Sequence, residues 1–222
     1  IELITKLPDE ELGTKILIEG SEIKKQEKYV CPNGTSIKIK NLFYNVPARR
    51  KFLKSDKIES KHIVEQFTRI ALANPELKWS LFIDDKEYFR LEISNFRQRI
   101  VNIIGNRTNE KLVPVIEKTN LVNINGYIGK PEFSKKTRGE QYFFVNGRFI
   151  KSHYLHHAIS RAFKDLIVEG YHPTYFLNLN INPKQLDINI HPTKTEIKFE
   201  DEQSIYAIIR STIKKSLGHY NI

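Results

Sequence analysis

The chain has 222 residues, of which 40% are hydrophobic, enough for one sizeable core or two modest ones. Lysine and arginine (36) outnumber aspartate and glutamate (26), and the resulting net charge of +10 favours a polyanionic partner such as nucleic acid, a nucleotide or an anionic membrane. A membrane fits least well, because no segment approaches the roughly 18 apolar residues that span a bilayer and Ile1–Lys6 lacks the layout of a signal peptide.

The numbers of cysteines and methionines indicate the compartment and the origin of the chain. The single cysteine, Cys31, excludes an internal disulfide framework and suits a reducing compartment. The sequence contains no methionine, so we expect that Ile1 is not a translation start and that the chain is a piece of a longer protein.

The first part of the chain has the pattern of a small sheet followed by a long helix. Ile1–Lys6, Thr14–Glu19 and Thr35–Leu42 alternate like strands, and Asp56 with Glu59 resembles a capping box that opens a helix ending before Pro75. The helix face that we expect to be buried carries Ile63, Phe67, Ile70 and Ala71. Trp79–Ile83 and Tyr88–Ile93 then predict a hairpin about Asp84-Asp85.

Basic charge concentrates between Lys38 and Lys61, where eight lysines and arginines accompany two acidic residues. Arg49, Arg50 and Lys51 lie in a short helix-like run after Pro47. They could contact phosphates, or they could simply solvate the helix and pair with acidic neighbours.

The pattern changes near Asn95, and we predict a domain boundary there, with domains at 1–94 and 95–222. Phe96–Ile104 is predicted to be a helix closed by Gly105, and Asn146-Gly147 is a strong turn signal. The strands that we predict in this part are Leu112–Glu117, Leu121–Ile128, Gln141–Val145, Arg148–Lys151, Tyr175–Ile181 and Leu186–Ile190. Ser152 should cap a helix with an apolar stripe, and a second amphipathic helix closes the chain. The fold class is therefore α+β.

A lysine follows the last predicted strand. Pro192 interrupts the alternation of Leu186–Ile190, so residues 192–195 should leave the sheet as a loop and present Lys194 to solvent. An ammonium in such a loop is a natural phosphate ligand. The residues alone favour a solvated lysine in a turn, because short motifs often match by chance.

Other candidates for chemistry are weak. His153 and His157 have the spacing of metal ligands, but no further ligand follows nearby, so a helix surface is favoured and no metal is expected. The sequence contains no arguable catalytic triad, carboxylate pair or phosphate-cradling glycine loop, and nothing in it supports a self-contained enzyme.

Three stretches resemble one family. Asn189-Ile-His-Pro-Thr-Lys194 resembles the N-V-H-P-x-K signature of MutL-type DNA mismatch repair proteins. The run from Gly34 to Leu53 resembles that family's G-T-x-V-x-V-x-x-L-F-Y-N-x-P-A-R-R-K-F-L, and Phe144-Val-Asn-Gly-Arg148 resembles its F-V-N-G-R. The stretches lie in the family's order, and the resemblance covers the whole chain.

The resemblance implies a fold and a nucleotide role. MutL belongs to the GHKL ATPases, so 1–94 would be the end of an ATPase domain that is incomplete here, and 95–222 a transducer domain with a ribosomal-protein-like fold. Thr35 would lie at the adenine pocket, and Lys194 would contact the γ-phosphate as the catalytic and sensing lysine. The longer protein would then use ATP and Mg²⁺ as a weak ATPase, and we expect this chain alone to be inactive.

The resemblance also implies partners. DNA would be bound without sequence preference, through Arg49, Arg50, Lys51, Arg148, Lys151, Arg161 and Lys164. The family has an arginine at the position of His153, a departure for which Lys151 and Arg161 could compensate. The expected protein partner is a MutS-type mismatch-recognition protein. We expect the longer protein to form a homodimer with ATP and this chain alone to be a monomer. The expected location is the cytoplasm, with the chromosome, or the nucleus if the source is eukaryotic.

Two other functions stay open on the sequence. One is a nucleic-acid-binding module without a nucleotide role. The other is the matching piece of a gyrase-like GHKL ATPase, against which the run Phe43-Tyr-Asn-Val-Pro-Ala-Arg-Arg argues.

Overall fold

The computed structural model describes residues 1–187 and 195–219. By packing, the chain separates into two compact units, Ile1–Glu59 and Ser60–Ile222. The predicted α+β class is confirmed, since both units combine helix and sheet. The boundary that we placed after residue 94 lies inside the second unit, and it stays a prediction about the domains of the longer protein.

The strands and helices alternate irregularly along the chain. The strands are β1 Glu2–Lys6, β2 Gly13–Glu19, β3 Glu22–Tyr29, β4 Gly34–Lys38, β5 Trp79–Ile83, β6 Lys86–Leu91, β7 Leu112–Lys118, β8 Asn123–Gly129, β9 Gln141–Val145, β10 Arg148–Ile150, β11 Tyr175–Asn180, β12 Leu186–Asp187 and β13 Lys198–Phe199. The helices are α1 Pro47–Arg50, α2 Asp56–Ala73, α3 Phe96–Ile104, α4 His153–Ala162 and α5 Glu202–His219. Short 3-10 turns lie at Asn106–Lys111, Pro131–Phe133 and Pro183–Gln185.

The first unit is built on a four-stranded sheet in the order β3-β2-β1-β4. Strand β1 pairs antiparallel with both β2 and β4, so Thr5 lies opposite Thr14 on one side and Thr35 on the other. No large apolar side chain between residues 1 and 59 is fully buried, and several, including Val30, Ile37 and Phe52, are exposed. This unit therefore gains little from apolar burial within itself.

The second unit is built on a five-stranded sheet in the order β10-β9-β11-β8-β7, in which β9 and β11 run parallel. Its two faces are both covered. Phe143, Val145 and Leu177 pack with α4 and α5 on one face, whereas Phe144 and Phe176 pack with residues of α2 and α3 on the other. Burial on both faces explains why β9 is continuously apolar rather than alternating.

Arg99 of α3 is a buried cation inside the second unit and is 0% exposed. Its guanidinium donates to the carbonyl oxygens of Ala71, Pro75, Leu77 and Glu92 at 2.8–3.0 Å. Helix α3 is thereby tied to the end of α2, to the following turn and to the end of β6.

Within residues 1–187 and 195–219, no helix is long and apolar enough to cross a lipid bilayer.

Candidate functional site

Thr35, the predicted adenine-pocket residue, lies on β4 with an exposed side chain. Its hydroxyl is 2.8 Å from the hydroxyl of Thr5 on the neighbouring strand. Because a hydroxyl can donate one bond and accept two, this interaction leaves capacity for a ligand.

Arg49, Arg50 and Lys51 lie on and just after the short helix α1, which begins at Pro47. All three side chains are exposed, and none makes an ion pair with another described residue. The structure therefore does not show the pairing with acidic neighbours that one interpretation of this run expected. The three cations are available to an outside anion.

The N-G-R turn joins β9 to β10 in the second unit. Asn146 and Gly147 both have positive φ, 49° and 77°, as a tight hairpin turn requires. The Asn146 amide donates to the carbonyl oxygen of Ile181 at 2.9 Å, and its oxygen accepts from the Ile181 backbone N–H at 3.0 Å. This pair of hydrogen bonds ties the turn to the end of β11 and sets the position of exposed Arg148.

Arg148 and Thr195 line one cleft of about 350 Å³. The backbone N–H of Lys151 donates to the carbonyl oxygen of Thr195 at 2.7 Å. Thr195 directly follows Lys194 in the sequence, and this hydrogen bond places Thr195 beside the residue that follows β10. Lys194 itself lies outside the described residues, and its phosphate-sensing role stays a prediction.

Arg69 on α2 lines the same cleft, and it was not predicted from the sequence. Its guanidinium lies over the ring of Phe149 at 4.2 Å and forms an ion pair with Glu65. Its side chain is only 9% exposed. The i, i+4 spacing from Glu65 was the one available signal, and that spacing is ordinary on a helix surface.

Arg161 and Lys164 lie at and beyond the end of α4, and both are exposed. The Nε atom of Arg161 donates to Nε2 of His157 at 3.3 Å, while Nδ1 of His157 is 2.8 Å from the Tyr206 hydroxyl. His157 is therefore occupied by two hydrogen bonds that fix its tautomer, and His153 is exposed. Among the described residues, no group of three histidine, cysteine or acidic side chains could hold a metal ion.

His156 lies on the inner side of the same helix. Its Nδ1 atom is 3.1 Å from the Tyr175 hydroxyl, and its Nε2 atom is 3.4 Å from the Ser160 hydroxyl. Burial lowers the pKa of His156 to about 4, and the positive charge of Arg138 acts in the same direction. This imidazole is thus a neutral, hydrogen-bonded part of the interior rather than a surface cation.

The fold is shared with solved ATPase domains. It matches the Aquifex aeolicus MutL ATPase domain complexed with ADP (TM-score 0.71, 21% identity, 96% of this chain and 72% of that one). It also matches an N-terminal domain of a DNA repair protein (TM-score 0.81, 20% identity, 99% and 72%) and, more distantly, the B subunit of Myxococcus xanthus DNA gyrase (0.55, 11%, 99% and 66%). The chain thus shares its fold with these structures.

Sequence comparison narrows the class to a family. The family described as "DNA mismatch repair protein, C-terminal domain" matches residues 100–218. The chain is 57% identical over its full length to the DNA mismatch repair protein MutL of Christiangramia forsetii, 56% to that of Flavobacterium psychrophilum and 47% to that of Bacteroides fragilis. The chain belongs to the MutL-type DNA mismatch repair family, and it spans about a third of the length of these relatives (36%, 36% and 35%). The gyrase-like alternative is thereby excluded.

Proposed function

We propose that this chain is the part of a MutL-type protein that connects nucleotide state to DNA binding during mismatch repair. The observation that carries the proposal is the hydrogen bond from Lys151 to Thr195, which brings the N-G-R hairpin next to the residue that follows Lys194. A contact of Lys194 with the γ-phosphate of ATP would then be transmitted to Lys151 and to the strand before it, which carries Arg148.

The proposed DNA contacts are exposed cations on both units. Arg49, Arg50 and Lys51 belong to the first unit, and Arg148, Lys151, Arg161 and Lys164 to the second. Arg69 lines the cleft beside Arg148, but it is nearly buried and paired with Glu65, so it does not belong to this set. Phosphate contacts of this kind bind DNA without sequence preference and weaken steeply with salt.

The longer protein would supply the remaining groups of the nucleotide site. Further parts of this proposal rest on family membership. They are ATP and Mg²⁺ as cofactors, an ATP-dependent homodimer and a MutS-type partner. The location would be the cytoplasm, at the chromosome. The exposed Thr35 hydroxyl would contact the base, and Lys194 would supply a cation to the terminal phosphate. The alternative of a binding module without a nucleotide role makes the same DNA contacts but gives Lys194 no task.

Removing two cations of the α4 region tests the DNA surface. We expect Arg161→Ala with Lys164→Ala to lower duplex affinity and to reduce the slope of log K against log salt by about two, one unit for each phosphate that the variant can no longer neutralise. Filter binding or fluorescence anisotropy at several salt concentrations measures the slope.

The matched control is Arg210→Ala with Lys214→Ala on α5. These two residues are exposed, lack ion-pair partners among the described residues and remove the same charge. An equal decrease of slope in both double variants would mean that net charge, not this surface, binds DNA.

A further inference from the structure

A second basic cavity lies in the second unit, between the turn after α3 and the start of β11. Its volume is about 230 Å³, and its lining includes Arg107, Lys111, Lys135 and Glu140. None of these residues belongs to the DNA contacts proposed above. The cavity lies within the family's matched range, 100–218.

One carboxylate in this cavity is already neutralised. Glu140 forms an ion pair with Lys135 through one oxygen, and its other oxygen accepts from the Thr174 hydroxyl at 3.3 Å. The Glu140 side chain is 19% exposed, so this neutral arrangement forms one wall rather than a free acidic site.

Two cations remain without a counter-ion. Neither Arg107 nor Lys111 makes an ion pair with any residue in 1–187 or 195–219. The Lys111 ammonium is held 4.6 Å from the centre of the Phe133 ring, so it is positioned by an aromatic face and not by an acid. Arg107 is exposed and also lines the cavity.

The rest of the lining mixes apolar side chains, from Ile104, Leu112 and Phe133, with polar ones, from Asn106, Thr108 and Thr174. Gly129 also lines the cavity, and an added Cβ there would lie 3.0 Å from Thr174. A volume of about 230 Å³ is large enough to admit a phosphate group. Apolar side chains beside two cations without counter-ions suit an anion that carries an organic group.

We propose that this cavity binds a phosphate ester, with Arg107 and Lys111 as its cationic ligands. Arginine and lysine together provide a forked donor and a mobile point charge for phosphate oxygens. The ester comes either from the backbone of DNA that extends beyond the surface proposed above or from a free nucleotide. The inference is independent of Lys194 and of the α4 surface.

Phosphate titration of the isotope-labelled 222-residue chain tests the site. With inorganic phosphate at constant ionic strength, the amide signals of Gly105, Gly129 and Thr174 should shift together and saturate. In Arg107→Ala with Lys111→Ala, we expect at least about tenfold weaker binding. The melting temperature should fall only slightly, because neither side chain makes an ion pair within the described residues and the contact of Lys111 with the Phe133 ring is weak. Arg210→Ala with Lys214→Ala should titrate like the wild type.

Two further titrations distinguish DNA from a free nucleotide as the source of the phosphate ester. If DNA supplies the ester, the Arg107/Lys111 double variant should lower the salt slope of duplex binding by about one, additively with the α4 variant. If a nucleotide supplies it, adenosine monophosphate should displace inorganic phosphate while the DNA slope stays unchanged. Wild-type phosphate shifts in the double variant, or a cavity that takes inorganic phosphate but neither ester, would overturn the proposal. Failure of the α4 variant alone would count only against the DNA surface.

Discussion

Arg99 is held by four backbone carbonyl groups in the interior and lacks a carboxylate partner among the described residues. Burial lowers its pKa. Replacing it with methionine keeps much of the volume but removes the donor that these carbonyl groups share, although the Pro75 carbonyl also accepts from the Ser94 backbone N–H. We therefore expect unfolding to become easier by about 3 kcal/mol.

Chemical denaturation measures this effect, and Arg90→Met is the control. Arg90 is exposed and pairs only with Glu87 among the described residues, so its replacement should change stability by less than about 0.5 kcal/mol. Similar effects at the two positions would contradict the role assigned to Arg99.

His156 should make stability depend on pH. Its pKa is lowered by burial from 6.5 to about 4 in the folded chain, so between these values the unfolded chain binds a proton that the folded chain does not. Its contribution to stability is complete above pH 6.5 and is lost as the pH falls toward 4, by at most about 1.4 kcal/mol per pH unit.

Denaturation of His156→Gln at about pH 7.5 and about pH 5 checks this, because the variant should lose less stability on acidification than the wild type. His62→Gln, which changes an exposed histidine on α2, should keep the wild-type dependence. An identical dependence in all three proteins would rule out His156 as the titrating group.

At the scale of elements, the Asn146 side chain joins the N-G-R hairpin to the end of β11 by two hydrogen bonds. We expect Asn146→Ala to cost about 2 kcal/mol, because two hydrogen bonds disappear and alanine disfavours a positive φ. Asn125→Ala, an exposed change on β8, is the control, and thermal unfolding of both reports the difference. Equal melting temperatures would mean that the hairpin is held by its strands alone.

Elements with a local signal could be predicted from sequence. Helix α3 spans Phe96–Ile104 as predicted, with Asn95 capping its start, and the side chain of Ser152 caps α4 by accepting from Leu155. The two-residue turn at Asp84-Asp85 also forms, because both residues accept positive φ. In each case one short motif determines the geometry without help from distant residues.

Features that depend on tertiary packing were wrong or missed. Strand β3 was missed because Glu22–Tyr29 is mostly charged and polar and lacks the apolar alternation of a strand. It forms by backbone pairing with β2. Helix α2 begins at Asp56, so Asp56 is its first residue and not its cap, and Glu59 accepts instead from the backbone of Lys54. The predicted buried face of α2 was partly wrong, since Ile63 and Ile70 are exposed whereas Leu72 and Arg69 are buried.

The same holds for the site residues, because those in a short motif could be predicted and those brought together by packing could not. Arg148 could be named from a motif and Lys151 as its basic neighbour, but the hydrogen bond that places Lys151 beside Thr195 joins residues more than forty positions apart, which no local pattern reports. Arg69 and the cavity of Arg107 and Lys111 were missed for the same reason. Residues 188–194 and 220–222 lie outside the described part, so the predicted strand through Ile190 and the lysine after it stay predictions.

At the scale of the whole molecule, the central claim is that Lys194 reports nucleotide state to the DNA-binding part of a MutL-type protein. The decisive measurement is ATP and ADP affinity, with turnover and melting temperature, of Lys194→Ala in the longer protein that contains this chain. Removal of one charge-assisted hydrogen bond, worth roughly 1.5–3 kcal/mol, should weaken ATP-over-ADP selectivity and turnover by about ten- to a hundredfold at an unchanged melting temperature. Wild-type selectivity and turnover in that variant would contradict the account and leave Lys194 as a surface residue.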